Sequence, residues 1–220
     1  MTSSDSHSTE PHAEADVVDA DASQAAQEPH HSARRTILEY LPWIVVPIVV
    51  VVLLRMFVFT MYEIPSSSME NTLRIGDRVM VVKPSIAKPE RGDIITFKDP
   101  DGWLPLNEKK HSDILIKRLI GLPGDTVECE GGGAPIVVNG YPLDESAYLQ
   151  EGMAPSEIPF SVTVPEGHVF VLGDNRTNSA DSRYHLNDVG TDGTGTVPME
   201  NITGVSKLIY WPLSHWSLTR

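Results

Sequence analysis

At 220 residues with a formal net charge of −13 and one cysteine, the chain has room for one domain of ordinary size and some additional segments. A lone cysteine, Cys129, excludes an internal disulfide and argues against a Cys-based zinc site. No basic stripe is present to neutralise phosphates, which argues against nucleic acid as a partner.

In chain order, the first segment is acidic. No Lys or Arg precedes Arg34, whereas Asp5, Glu10, Glu14, Asp16, Asp19, Asp21 and Glu28 supply about half of the net charge of −13. Such a Ser-, Ala- and acid-rich tail cannot bury enough apolar surface to offset its ordering entropy, so residues 1–36 are expected to be disordered. A hydrophobic run follows. Ile37–Phe59 spans 23 residues, about 34 Å at ~1.5 Å per residue, enough for a ~30 Å hydrocarbon core. Glu39 and Arg55 lie near its ends, where long side chains snorkel, and Pro42 and Pro47 are tolerated in a membrane helix. No polar face suits a soluble core helix, and no small-x-small site follows, as a cleaved leader would need. The expectation is one retained transmembrane helix over residues 37–59. Arg34 and Arg35 favour a cytoplasmic N-terminus, with residues 60–220 outside.

Beyond Phe59 the pattern is that of short strands. Val79–Lys83, Asp93–Phe97 and Ile114–Ile120 are β-branched runs bounded by Gly, Pro and Asp. Ile136–Leu143 carries Asn139-Gly140, a hairpin signal. Ser161–Val164, His168–Asp174 and Val205–Trp211 complete the set. The fold class is mainly β. The Gly-rich stretch after Cys129 and Glu151–Pro159 read as loops of a small insertion over about 126–165, with Cys129 a loop thiol. His185–Thr196 reads as a mobile surface loop.

Three segments carry candidate chemistry. In Ile64–Leu73, Ser67 to Glu70 fits a helix capping box. Within Ile116–Asp125, Lys117 would ordinarily point out from the wet face of a strand. Gly173–Arg183 suits Asx-turns with internal ion pairs, and its acids do not match an EF-hand.

Taken together and in this order, these segments resemble the boxes of bacterial type I signal peptidases. The run ending Arg55-Met56-Phe57 precedes a Ser-Met box, then Arg91–Phe97, then the Lys-Arg box ending in Gly-Leu-Pro-Gly-Asp, then Gly173–Arg183. The resemblance covers about Arg55 to Tyr184 with one variable gap. It implies a membrane helix followed by a coiled β-sheet catalytic domain, no cofactor and no metal. Residue by residue, it implies Ser68 as nucleophile and Lys117 as general base. Ser66 and the Ser68 N–H would form the oxyanion hole, Ser179 would orient the base, and Asp181 with Arg183 would form a structural ion pair. Tyr62, Ile64, Pro65, Met69, Leu73, Thr96, Leu115 and Ile116 would line shallow substrate pockets. Where the family commonly has Pro, this chain has Asn71. Lys117 stands where a related branch has His, so His111 and His185 are expected to be surface residues.

The dyad is physically sensible. A free lysine has a pKa of ~10.4, but burial without a carboxylate partner lowers it. Leu115, Ile116, Leu119 and Ile120 supply apolar surroundings. The implied substrates are signal peptides of exported preproteins, with small residues at the first and third positions before the cut. The lipid bilayer and the secretion translocon are further expected partners, and the plasma membrane is the expected location. Two alternatives remain at this stage. One is a self-cleaving repressor-type Ser/Lys protease, for which no cleavable linker is found. The other is an inactive, membrane-tethered β scaffold.

Overall fold

The structure, a computed structural model, describes residues 32–100, 102–104, 113–186 and 195–219. Most of the acidic tail, His111 and most of the 185–196 loop therefore lie outside the described residues. The first element is helix α1, Ser32–Phe57. It starts five residues before the expected span and ends two residues before it, so residues 32–36 are helical, contrary to the expected disorder. From Glu39 to Phe57 it is long and apolar enough to cross a membrane, and none of that window is buried in the protein. These 19 residues extend about 28 Å at ~1.5 Å each. The helix stops because the chain turns directly into a strand. Val58 N–H still bonds the Leu54 carbonyl (2.8 Å), and Lys83 Nζ donates to the Met56 carbonyl (2.6 Å), a cation where the helix dipole favours one.

From Val49 onward the chain forms one compact unit. The described strands are β1 Phe59–Glu63, β2 Arg78–Val82, β3 Ile94–Lys98, β4 Ile114–Gly121, β5 Thr126–Cys129, β6 Val137–Val138, β7 Tyr141–Pro142, β8 Phe160–Thr163, β9 His168–Leu172, β10 Val197–Pro198, β11 Ile202–Trp211 and β12 Ser217–Leu218. Two antiparallel sheets result. The larger runs β1-β2-β11-β3-β4-β9-β10, with β12 on β11, and the smaller runs β7-β6-β5-β8. β11 pairs with both β2 and β3, with register shifts between Ile202 and Gly204, Ser206 and Leu208, and Ile209 and Trp211. Such irregularities increase twist and bend a strand.

β4 is buried on both faces, and strand alternation sends its residues to different clusters. Leu115 and Leu119 pack with Ile95, Phe97, Val171 and Val205. Ile116 packs with Ile64, Met69, Leu73 and Ile94. Ile120 joins the cluster shared with the small sheet, which includes Val127, Val138, Phe160, Val162, Phe170 and Leu172. Each such side chain, fully buried, stabilises by about 1.5–3 kcal/mol before entropy is set against it.

The insertion is therefore built on the main sheet through a shared core. Its hairpin turns at Asn139 and Gly140, both with positive φ (54° and 82°), as a primed turn requires. The two Gly- and Pro-rich stretches bond to each other, Gly132 N–H to the Glu157 carbonyl and Gly133 N–H to the Ser156 carbonyl, each 3.3 Å. Cys129 corrects the loop-thiol expectation. It ends β5, is buried in the shared core, and donates its thiol to the Ala134 carbonyl (3.3 Å).

Candidate active site

Ser68 lies on a turn that follows β1. Ile64 returns the chain to the sheet, its N–H bonding the Asp77 carbonyl (2.8 Å). Met69 and Leu73, both wholly buried, pin the turn from below, and Leu73 N–H bonds the Met69 carbonyl (2.8 Å). The capping-box reading does not describe this turn. The Ser67 hydroxyl accepts instead from Asn178 Nδ2 (2.7 Å), and Glu70 N–H bonds the Ser67 backbone carbonyl (3.0 Å). Asn71 takes φ 98°, a conformation closed to proline, whose ring holds φ near −65°. The departure from the family pattern thus has a backbone consequence.

Lys117 stands on β4 opposite Ile95. It does not project from a wet face: it is 4% exposed, and its Nζ is in hydrogen-bond contact with Ser68 Oγ at 2.7 Å. Burial pushes its pKa down to about 8, opposed by the charges of Asp181 and Asp174. That these two carboxylates face Lys117 was not foreseen, and each is committed to an arginine. Asp181 receives Arg183 Nε and NH2 at 2.9 Å each, the ion pair expected between those two residues. Although burial pushes the Asp181 carboxyl up, Arg183 and the Gly173 N–H (3.0 Å) hold it below the usual range. Asp174 receives Arg118 Nε at 2.8 Å and NH2 at 2.6 Å, and the Thr72 hydroxyl at 2.5 Å.

The loop that follows β9 closes the site. Asn175 N–H bonds the Ser68 carbonyl and Asn175 Nδ2 the Ser67 carbonyl, each at 3.1 Å. Gly173 permits this approach, because a Cβ there would stand 2.2 Å from Ser179 Oγ and 2.5 Å from the Ser68 carbonyl oxygen. Ser179 is buried beside Asp181, near enough to help lower its pKa, yet its hydroxyl has no hydrogen bond among the described residues, to Lys117 or otherwise. Ser66 Oγ lies 3.5 Å from Ser68 Oγ, so the second hydroxyl stands beside the first.

The other expected residues divide. Ile64, Met69, Leu73 and Ile116, with half-buried Tyr62, form one apolar cluster next to the Ser68 turn. Thr96, opposite Ile116, is buried and accepts from the Thr203 hydroxyl (2.8 Å). Pro65 is exposed. Leu115 packs in the cluster on the other face of β4. His185 is half-buried and stacked on Trp103, with centroids 4.4 Å apart, so it is not a free surface residue. Sequence reasoning missed Thr72, Arg118, Asp174, Arg176 and Glu145. One signal was available: an arginine inside an apolar strand requires a buried carboxylate, and Asp174 stood in an adjacent box.

An apolar helix of membrane-spanning length that runs into a β domain, where a buried amine of lowered pKa touches a serine hydroxyl, defines a membrane-anchored serine hydrolase. The model of the family described as "Signal peptidase, peptidase S26" matches residues 37–211. Signal peptidase I of Mycobacterium tuberculosis is 38% identical over 251 residues, covering 92% of this chain and 83% of that one. Signal peptidase I S of Bacillus subtilis is 34% identical over 200 residues, 86% of this chain and 96% of that one. A solved signal peptidase I from Enterococcus faecalis shares 34% identity over 54% of this chain and 96% of its own, with TM-score 0.38. The chain belongs to the signal peptidase family, peptidase S26; it is a membrane-anchored serine endopeptidase that removes signal peptides.

Proposed function

We propose that Ser68 is the nucleophile and Lys117 the general base, acting on signal peptides of exported preproteins that carry small residues at the first and third positions before the cut. The observation that carries this reading is the 2.7 Å contact between Lys117 Nζ and Ser68 Oγ, with a pKa lowered by burial to about 8. At that value a substantial fraction of the amine is neutral at mildly alkaline pH, where a free lysine is almost wholly protonated. Neutral Lys117 takes the Ser68 proton as Oγ attacks the scissile carbonyl. Lys117 then protonates the leaving amine, and afterwards takes a proton from the water that hydrolyses the acyl-enzyme. The Ser66 hydroxyl and the Ser68 N–H receive the oxyanion, a donor of this kind being worth about 3 kcal/mol. Asp181 with Arg183 holds in place the loop that carries Ser179, the residue the family resemblance assigns to orienting the amine.

The same reading places small side chains of the substrate against the apolar cluster of Ile64 and Ile116, with Tyr62, Pro65, Met69, Leu73, Thr96 and Leu115 around them. It places the N-terminus in the cytoplasm, because Arg34 and Arg35 precede the span. The catalytic domain then lies outside the plasma membrane, near the bilayer and the secretion translocon. The test is cleavage of a preprotein with an Ala-x-Ala site by the purified chain, compared with Ser68→Ala. Loss of cleavage in the variant is expected; cleavage by Ser68→Ala removes Ser68 as nucleophile.

A further inference from the structure

The insertion reaches the catalytic centre through two arginines that the reaction does not use directly. Tyr148 lies with its ring under the Arg118 guanidinium, 4.0 Å from ring centroid to Cζ. Its hydroxyl donates to Glu145 Oε1 (3.0 Å), and Glu145 is paired with Arg176, both buried. Arg176 also donates to the Pro155 carbonyl (2.8 Å) and the Gly173 carbonyl (2.9 Å), and its N–H reaches Met153 Sδ (3.3 Å). The segment from Glu145 to Pro155 is thus fastened to Arg176, which in turn bonds the carbonyl of the residue just before Asp174. Arg118 in turn binds both oxygens of Asp174 and the Gly92 carbonyl (2.6 Å). Asp174 also holds Thr72, four residues past Ser68.

Water has access on the other side of this arrangement. Arg118, Tyr148 and Ala147 line a cleft of about 510 Å³ together with Arg91, Asp93 and Lys207. The Tyr148 ring, which lines the same cleft, lies against the guanidinium, and Arg118 is 1% exposed. Without it, Arg118 gains water and rotameric freedom in competition with Asp174.

We propose that Tyr148 is a positioning residue for the peptidase reaction: its ring, stacked on Arg118, keeps that guanidinium on Asp174 and thereby holds the Ser68 turn and the electrostatics of Lys117 in working order. The inference rests on Ser68 and Lys117 being the reacting pair. The charged groups that face Lys117 are Asp174 with its partner Arg118 and Asp181 with its partner Arg183. If Arg118 loosens, the charge of Asp174 is less neutralised and favours the Lys117 ammonium, so less neutral amine is present at a given pH.

The experiment is kcat and KM against pH for an Ala-x-Ala peptide, using the full chain in detergent with Tyr148→Leu, Tyr148→Phe and Lys117→Met. Tyr148→Leu is expected to lower kcat about tenfold with KM held within about twofold, and to move the acid limb up by about half a pH unit. Tyr148→Phe keeps the ring and is expected to stay within about twofold of the parent with its profile unmoved. Parent-like kcat and profile in Tyr148→Leu overturn the proposal. So does a Phe variant as impaired as the Leu variant, or an activity loss in Tyr148→Leu that merely follows the unfolded fraction with the acid limb in place. The Lys117→Met arm separates the two readings. If it is inactive, a negative Tyr148 result counts against the positioning role alone; if it cleaves, the Ser68–Lys117 reading falls and this inference falls with it.

Discussion

Lys117 and Arg118 are neighbours on β4, both almost wholly buried, and the fold treats their charges in opposite ways. Arg118 points to a carboxylate that accepts from two of its nitrogens, with a carbonyl and an aromatic face on its remaining sides. Lys117 points to a serine hydroxyl, and the acids nearest to it are already engaged by Arg118 and Arg183. Period-two alternation puts the two side chains on opposite sides of one strand, so one step in sequence separates a cation paired with a carboxylate from a cation made easy to deprotonate. The contrast teaches that burial acts on an amine's pKa together with whatever carboxylates face it. At Lys117 burial is the larger effect, and it prevails over Asp174 and Asp181, which raise the pKa while paired with Arg118 and Arg183.

The largest effect that can break the contrast is on turnover. Lys117→Met should reduce kcat/KM by about 10²–10⁴-fold, and Lys117→Arg should be equally impaired because a guanidinium stays protonated. Steady-state cleavage of an Ala-x-Ala peptide measures both. Substantial activity in the Arg variant would show that the charge state at residue 117 does not matter and would remove it as base.

The partnered side is tested by stability. Arg118→Met leaves Asp174 buried without its cation, so denaturant unfolding should show a loss of about 3–5 kcal/mol. An unchanged midpoint would mean that the Arg118–Asp174 pair does not hold the core.

A smaller effect, of opposite sign, is expected on the unpartnered side. With a folded pKa of about 8 against the ordinary lysine value of 10.5, the desolvated ammonium of Lys117 costs about 3 kcal/mol when the site is protonated. Below about pH 8 the amine is protonated in both folded and unfolded chains, and the folded chain carries that cost in full. Between about 8 and 10.5 the unfolded chain retains a proton that the folded chain has lost, so the stability of the parent rises with pH. Lys117→Met should therefore be more stable than the parent near pH 6, with the difference closing as pH approaches 10.5. A difference that does not depend on pH would count against a depressed Lys117 pKa.

Much of this was legible in the chain itself. The apolar run from Leu41 to Leu54 required a membrane-spanning helix because its hydrophobic side chains have no polar face to balance them. The β-branched runs at Val79, Ile94, Ile114 and His168 became β2, β3, β4 and β9, and Asn139-Gly140 became the hairpin turn, since these signals are local. The two-residue strands β10 and β12 carried no periodicity long enough to read, and β1, as long as β2, begins at Phe59 within the expected membrane span. Ser68, Ser66, Lys117, Ser179, Asp181 and Arg183 were named from the wording of their boxes, but nothing local in those boxes sets a distance. Their meeting in space was decided by tertiary structure: Ser68 and Lys117 are 49 positions apart, and only the pairing of β3 with β4 and the packing of Met69 and Leu73 bring them together. The same holds for the rest. Asp174 on Arg118 and Glu145 on Arg176 are contacts across 56 and 31 positions. A charge in a sequence declares that it needs a partner when buried, but which partner, and whether any is left for Lys117, depends on how the strands stack.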